Sequence, residues 1–262
     1  MFQRFQKHID TNFPFLRERQ LLLACSGGVD SVVLTYLCSR VGLDITLAHC
    51  NFQLRADESD GDETFVKQLA KQLDLVCISV SFDTARQVSE HGGSVQMVAR
   101  KLRYDWFATV LEEKNLDYVL TAHHADDSLE TFIINLSRGT GIDGLTGISE
   151  TNGKILRPLL PFSRNDIMEF AETEGLQWRE DSSNSDSKYF RNKIRNNIIP
   201  ELKELHPTFL DNFLRTQTFL NQSKEVLEAT FKSVMMLLRI LFRKYFESEL
   251  LLSSLHCNPS VS

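Results

Sequence analysis

The sequence has no C-x-x-C pair, no excess of positive charge, no long apolar run and no internal repeat. Its five cysteines (Cys25, Cys38, Cys50, Cys77 and Cys257) form an odd set. That excludes a disulfide framework and a zinc or redox centre of the usual spacing. There are 29 Lys+Arg against 35 Asp+Glu, a net charge of -6, which argues against a protein that coats nucleic acid non-specifically and leaves only local basic patches. The densest apolar stretch, Val234 to Phe242, is broken by Arg239 and is far short of the ~20 residues of a membrane span. The opening Met1-Phe2-Gln3-Arg4-Phe5 does not read as a signal peptide. The expectation is a cytoplasmic protein without a membrane partner. What is there is ordinary for a globular chain: 262 residues, 42% hydrophobic and 24% charged. This is enough for one large domain and a small second one, and it excludes collagen, a disordered tail and a porin.

Short apolar runs alternate with helical patterns. Leu21 to Cys25, Ile45 to His49, Leu75 to Val80 and Tyr118 to Ala122 read as strands. Between them Val29, Val32, Val33, Tyr36 and Leu37, then Phe65 to Leu73, then Val95 to Trp106 with Ser94 as N-cap, repeat at three and four residues. Ala125 to Leu136 continues as a fourth helix, and Lys154 to Leu156 as a fifth, short strand. The pattern predicts an α/β fold: an open, mainly parallel five-stranded sheet with helices on both faces. Ser163 with Asp166 forms a capping box ahead of another helix. Asp181 to Ser187 is polar enough for an exposed loop. From Leu205 only helical signals remain, so the expected division is a domain over 1–204 and a small helical region over 205–262.

Ser26-Gly27-Gly28-Val29-Asp30-Ser31 falls between the first strand and the first helix. Open α/β sheets bind ligands there, beyond the carboxyl ends of the strands. Two glycines let the backbone approach an anion, the helix start offers unpaired N–H groups, and Ser26 and Ser31 add hydroxyls. Asp30 would repel a bare phosphate, which points to a bridging Mg²⁺. The bland alternative is a plain strand-to-helix turn.

Two further segments carry charge in a pattern. In His123-His124-Ala125-Asp126-Asp127-Ser128-Leu129-Glu130, His123, Asp127 and Glu130 have the i, i+4, i+7 spacing of one helix face, and Asp126 and Glu130 are i, i+4 neighbours. Clustered carboxylates need a cation, and Mg²⁺ and an amine substrate both fit. The competing explanation is an acidic, solvated helix start. Lys188, Arg191, Lys193 and Arg195 put four positive charges in eight residues, a basic stripe suited to RNA or ATP phosphate or simply a solvated face. Arg100 and Arg103 lie beside aromatics in Ala99 to Phe107 and are further phosphate candidates, whereas Trp106 and Phe107 read as core.

The loop resembles the S-G-G-x-D-S loop of the PP-loop, or N-type, ATP pyrophosphatases. The ordered motifs A-R-K-L-R-Y-D-W-F at 99–107, H-H-A-D-D-S-L-E-T at 123–131, G-T-G-I-D-G-L at 139–145, R-P-L-L at 157–160 and E-D-S-S-N through R-N-K-I-R at 180–195 are similar to those of the bacterial tRNA(Ile)-lysidine synthetase family. The resemblance covers about residues 18 to 210. It implies a ligase that adenylates C2-O of the wobble cytidine in tRNA(Ile) with a CAU anticodon, after which the ε-amine of free L-lysine displaces AMP. It implies ATP and Mg²⁺ as cofactors. Ser26 to Ser31 would hold ATP, and Asp30 with Asp127 the metal. Asp126, Asp127 and Glu130 would hold the lysine, and Arg100, Arg103, Lys188, Arg191 and Arg195 RNA or phosphate. Asp30, Asp127, Glu130, Arg191 and Arg195 are the expected catalytic set.

Three rivals remain: a tRNA thiolase of the same superfamily, an amide-forming synthetase, and an inactive nucleotide-binding relative. The missing C-x-x-C speaks against the first and the basic R-N-K-I-R block against the second. Intact Asp30, Asp127 and Glu130 speak against the third. Family members usually continue into further tRNA-contacting domains, so weaker tRNA binding is expected here. The Val234 to Phe242 run is expected to be partly uncovered, which leaves a homodimer contact open.

Overall fold

The computed structural model describes residues 1–55, 57–180 and 190–255. Six strands, β1 (Gln20–Ala24), β2 (Asp44–Asn51), β3 (Val76–Ser81), β4 (Tyr118–Leu120), β5 (Thr151–Asn152) and β6 (Ile155–Leu156), form one sheet in the order β3-β2-β1-β4-β6-β5. All pairs are parallel except β5 with β6. The sequence pattern predicted five strands. The sixth, β5, is only two residues long, too short to show an alternation.

Helices cover both faces because β1 alternates its side chains between them. Leu21 and Leu23 point to a core shared with α1 (Phe2–Asn12), α2 (Val29–Arg40), α3 (Asp57–Gln72) and α8 (Arg164–Thr173). Leu22 points to the other face, where Phe107, Val110 and Leu111 of α5 (Val95–Glu113) pack with Ala48 and Val119. Phe107 is buried and Trp106 packs against the same cluster, so both serve the core. Ser94 caps α5 by accepting the Met97 N–H, and the Ser163–Asp166 capping box opens α8. Helix α1 and α4 (Thr84–His91) had no counterpart in the sequence reading. Helix α1 buries only Phe5 and Ile9, one i, i+4 pair.

The chain runs outward from β1 through β2 to β3, then returns to place β4 on the other side of β1. The order reverses between β1 and β4, so a crevice opens at their carboxyl ends. The loop after β1 leads into α2. The segment after β4 leads into α6 (Ala125–Arg138), with the short α7 (Ile142–Leu145) beyond it.

The end of the chain is helical: α9 (Phe190–Lys193), a π-helical turn (Ile194–Ile198), α10 (Ile199–Glu204) and the long α11 (Phe209–Leu255). Ile194, Ile199 and Phe213 bury against Leu129 of α6. Further along α11, apolar residues stand in solvent: Phe231 is 67% and Met236 66% exposed. The Val234 to Phe242 run is therefore uncovered where its side chains are described. No helix among the described residues is long and apolar enough to cross a membrane.

Ser128 of α6 ties α11 down by donating to Gln217 Oε1 at 3.1 Å. Gly147, at φ +72°, lies directly against this contact. A Cβ there would collide with the Gln217 amide and sit 2.6 Å from Ser128 Oγ. Gly147→Ala is expected to destabilise by about 2 kcal/mol, through overpacking together with a left-handed backbone that disfavours a side chain. A thermal melt checks this, and an unchanged melting temperature would count against the α6–α11 packing described here.

Candidate active site

The phosphate loop is shaped from within. Gly27 adopts φ +90°, and a Cβ on it would meet Phe65 at 3.4 Å and Val66 at 3.6 Å of α3. Gly28 caps α2, and its N–H donates to Ser26 Oγ at 3.3 Å. Ser31 Oγ donates back to the Gly28 carbonyl at 2.9 Å. Ser31 and Gly27 thus build the turn. Ser26, Gly28, Val29 and Asp30 are the loop residues that line a cavity of about 740 Å³.

Across this cavity stands the start of α6. His124, extended at φ -128°, is the residue before the first helical turn, and its N–H donates to Asp127 Oδ2 at 3.0 Å. The helix begins at Ala125, so His123 belongs to the incoming chain. This corrects the single face predicted for His123, Asp127 and Glu130. The extended backbone needed to leave β4 and cap α6 takes both histidines out of helical register. Thr121 Oγ1 lies 3.0 Å from His123 Nδ1. Burial pushes the His123 imidazole down to about 4. Asp127 opposes this, while Arg157, Arg100 and Arg191 reinforce it. His123 is therefore neutral at physiological pH.

Buried His124 lies among three carboxylates. Its Nε2 is 3.7 Å from Asp30 and 3.6 Å from Asp127, and its Nδ1 is 3.9 Å from Asp126. It thereby brings Asp30, from residue 30 of the chain, beside the acidic helix. Glu130 is 1% exposed. It accepts from Arg191 Nε at 2.9 Å and from Arg195 Nε at 2.5 Å. Arg195 also reaches Asp127 at 3.1 Å. Burial works to raise the Asp127 carboxyl, but His124, His123, the His124 N–H and Arg195 together hold it below the usual carboxylate range. Arg195 keeps its charge firmly: burial opposes it, yet Glu130, Asp127 and Asp30 outweigh burial. The basic block is not one regular helix. Arg195 sits on the π-helical turn, a feature that recurs at functional sites, and both arginines still converge on Glu130.

Several residues at the site escaped sequence reading. Arg164 Nη1 lies 2.5 Å from both oxygens of Asp30, and the Arg164 N–H donates to Asp126 at 2.8 Å. Lys203 pairs with Asp126. The Arg179 N–H donates to the Gly27 carbonyl at 2.9 Å. Its guanidinium and that of Arg55 share Asp62, at 3.0 Å and 2.9 Å. Only Arg55, just past the carboxyl end of β2, carried a positional signal. The cavity is lined by as many cations (Arg55, Arg164, Arg179, Arg195, Lys203) as carboxylates (Asp30, Asp62, Asp126, Glu130, Glu180).

Arg100 and Arg103 do not line this cavity; they lie over the rings of Tyr104 and Phe52 at 4.8 Å and 5.2 Å. Lys188 and the D-S-S-N run lie outside the described residues, as does Cys257. The described cysteines are free. Burial raises Cys25, Cys38 and Cys77, and takes Cys50 to about 12, so none is an activated thiolate.

Among the described residues no group of three or more His, Cys, Asp or Glu side chains is arranged to hold a metal. A Mg²⁺ ion bound with nucleotide needs less: one or two carboxylates, with phosphate oxygens and water completing the shell. Asp30 and Asp127, which both approach His124 Nε2, at 3.7 Å and 3.6 Å, are carboxylates of the kind that requirement calls for.

A strand–loop–helix anion site at the switch point, facing an acidic helix, defines a nucleotide-binding α/β domain. A family model described as the PP-loop domain matches residues 1–202. Among curated proteins, the tRNA(Ile)-lysidine synthase of Bacteroides thetaiotaomicron is 41% identical over 84% of this chain and 51% of its own length. That of Petrotoga mobilis is 32% identical over 88% of this chain and 77% of its own length. The chain belongs to the tRNA(Ile)-lysidine synthase family, within the PP-loop class. It spans about half the length of such relatives as those of Bacteroides thetaiotaomicron, Porphyromonas gingivalis and Parabacteroides distasonis. A solved U34-tRNA thiolase from Methanococcus maripaludis shares the fold, with a TM-score of 0.67 at 17% identity over 83% of this chain and 78% of its own.

Proposed function

We propose that this chain is a ligase that joins free L-lysine to C2 of the wobble cytidine in CAU-anticodon tRNA(Ile). ATP is cleaved to AMP and pyrophosphate. The observation that carries the reading is one cavity faced by both the Ser26–Asp30 loop and the Asp126–Glu130 helix, in a chain 41% identical to a tRNA(Ile)-lysidine synthase. On this reading residues 1–204 are the catalytic domain and 205–262 a helical extension.

The first step attaches the cytidine C2 oxygen to the α-phosphorus of ATP and releases pyrophosphate. Backbone N–H groups of the loop and the start of α2 hold the phosphates. Asp30 and Asp127 would hold Mg²⁺, which offsets the charge developing on the leaving phosphates when bound. In the second step the lysine ε-amine forms the C–N bond to C2, and AMP leaves with the oxygen. An ammonium has no lone pair to attack with. Glu130, or Asp126 or Asp127 beside it, binds the amine and takes its proton. For that, Glu130 must exchange Arg191 or Arg195 for the substrate, and the freed guanidinium is available to RNA phosphate or the reacting cytidine.

The test supplies tRNA(Ile) transcript, ATP, Mg²⁺ and labelled lysine. Lysine should enter the tRNA with one AMP and one pyrophosphate per residue joined. Repeated pyrophosphate release with no lysine joined to the tRNA would overturn the reading. Binding of the tRNA at several salt concentrations is expected to show a shallow slope. The net charge is -6, and two arginines of the one compact basic block already face Glu130, so few cations remain for phosphate. A steep slope would show an RNA surface larger than this block.

A further inference from the structure

Arg164 is a cavity residue whose side chain serves neither the core nor a helix cap. Helix α8 is already capped by Ser163 and Asp166, and it buries Ile167, Phe170 and Ala171. The Arg164 side chain is 42% exposed, so packing does not hold it. What holds it is Asp30, with Nη1 centred 2.5 Å from both carboxylate oxygens. Half-exposed ion pairs contribute little to stability, so this one exchanges easily. Its backbone is fixed: the Arg164 N–H donates to Asp126 at 2.8 Å, which anchors the first turn of α8 to the acidic helix. A half-exposed guanidinium on a fixed base thus shares one cavity with Ser26 and Gly28.

We propose that Arg164 is the guanidinium that receives the β- and γ-phosphates of the nucleotide, resting on Asp30 until they arrive. This deepens the reading of the site as one that cleaves ATP, and rests on it. An anion seated on the loop lies against the α2 N-terminus, one residue from Asp30. A group touching both Asp30 oxygens reaches that anion by a small rotation. The exchange releases Asp30 for a cation at the moment the phosphates need one. Arginine suits the task because its planar fork matches phosphate oxygens in pairs.

Binding to the full 262-residue chain at fixed Mg²⁺, measured by calorimetry, tests this with three probes: an α,β-methylene analogue of ATP, pyrophosphate, and AMP. Arg164→Ala should weaken the analogue and pyrophosphate at least tenfold, as loss of a charged hydrogen bond does. AMP, which lacks both outer phosphates, should stay within twofold. Arg164→Lys should recover part of the loss. Equal losses on all three probes, or a lowered melting temperature that accounts for them, would show a structural role and overturn the proposal. So would an Arg164→Ala chain that binds the analogue as well as the parent. A parent chain that binds neither the analogue nor pyrophosphate would overturn the ATP reading itself, so the two failures are distinct.

Discussion

Asp30→Asn should abolish pyrophosphate release while leaving the fold intact. The substitution removes charge but almost no volume. The Asp30 side chain is 28% exposed at the cavity wall, so no core contact is lost. What changes is the only carboxylate in the first turn of α2, on the wall of the cavity proposed to hold the nucleotide. An amide there is a poor Mg²⁺ ligand and no counter-ion for Arg164. Loss of a metal-held charge at a cleaved phosphate costs several kcal/mol in the transition state, so turnover should fall at least about a hundredfold. Near-parent turnover for Asp30→Asn at saturating Mg²⁺ would remove Asp30 from the metal site.

The second large effect is expected at Glu130. Arg191 and Arg195 converge on a carboxylate that is 1% exposed, and Glu130→Gln leaves both guanidiniums without their main counter-charge. Breaking a fully buried pair costs about 3–5 kcal/mol. These guanidiniums are 50% and 40% exposed, so solvent screens part of it, and a stability loss of about 1–2 kcal/mol is expected. The functional loss should be larger and specific. The lysine-dependent step should slow more than tenfold if, as proposed, Glu130 holds the ammonium and takes its proton, while nucleotide affinity changes little. If nucleotide binding suffers instead and lysine dependence is unchanged, Glu130 belongs to the phosphate side of the cavity.

Much of the molecule was legible without coordinates, and the reason is the range of the interactions involved. The Ser94 and Ser163 caps, the α2 periodicity and the strand β1 are set by neighbours within a few residues. So is the glycine at position 27, whose φ of +90° disfavours any residue with a side chain. The misses have physical causes of their own. Strand β5 has two residues, and α1 buries one pair, so neither builds a countable pattern. His123 looked helical because i, i+4, i+7 spacing is satisfied whether or not the helix has begun. Only the extended His124 backbone shows where it begins. The basic block runs into a π-helical turn, and Ile194 and Ile199, five residues apart, are both buried in the cluster with Leu129 of α6, a spacing the charge pattern does not show.

The sequence by itself determined the β-α alternation, the anion-binding turn at 26–31 and the presence of acidic and basic blocks, because each rests on local backbone preference and side-chain chemistry. Only the tertiary structure decided how the charges pair. The strand order reverses between β1 and β4, which brings Asp30 and Asp126 to one crevice from 96 positions apart in the chain. Helix packing then carries Arg164 to Asp30, Lys203 to Asp126 and Arg195 to Asp127. No local pattern encodes those meetings. They follow from which strands lie side by side and which helix faces are buried, and these are properties of the assembled core.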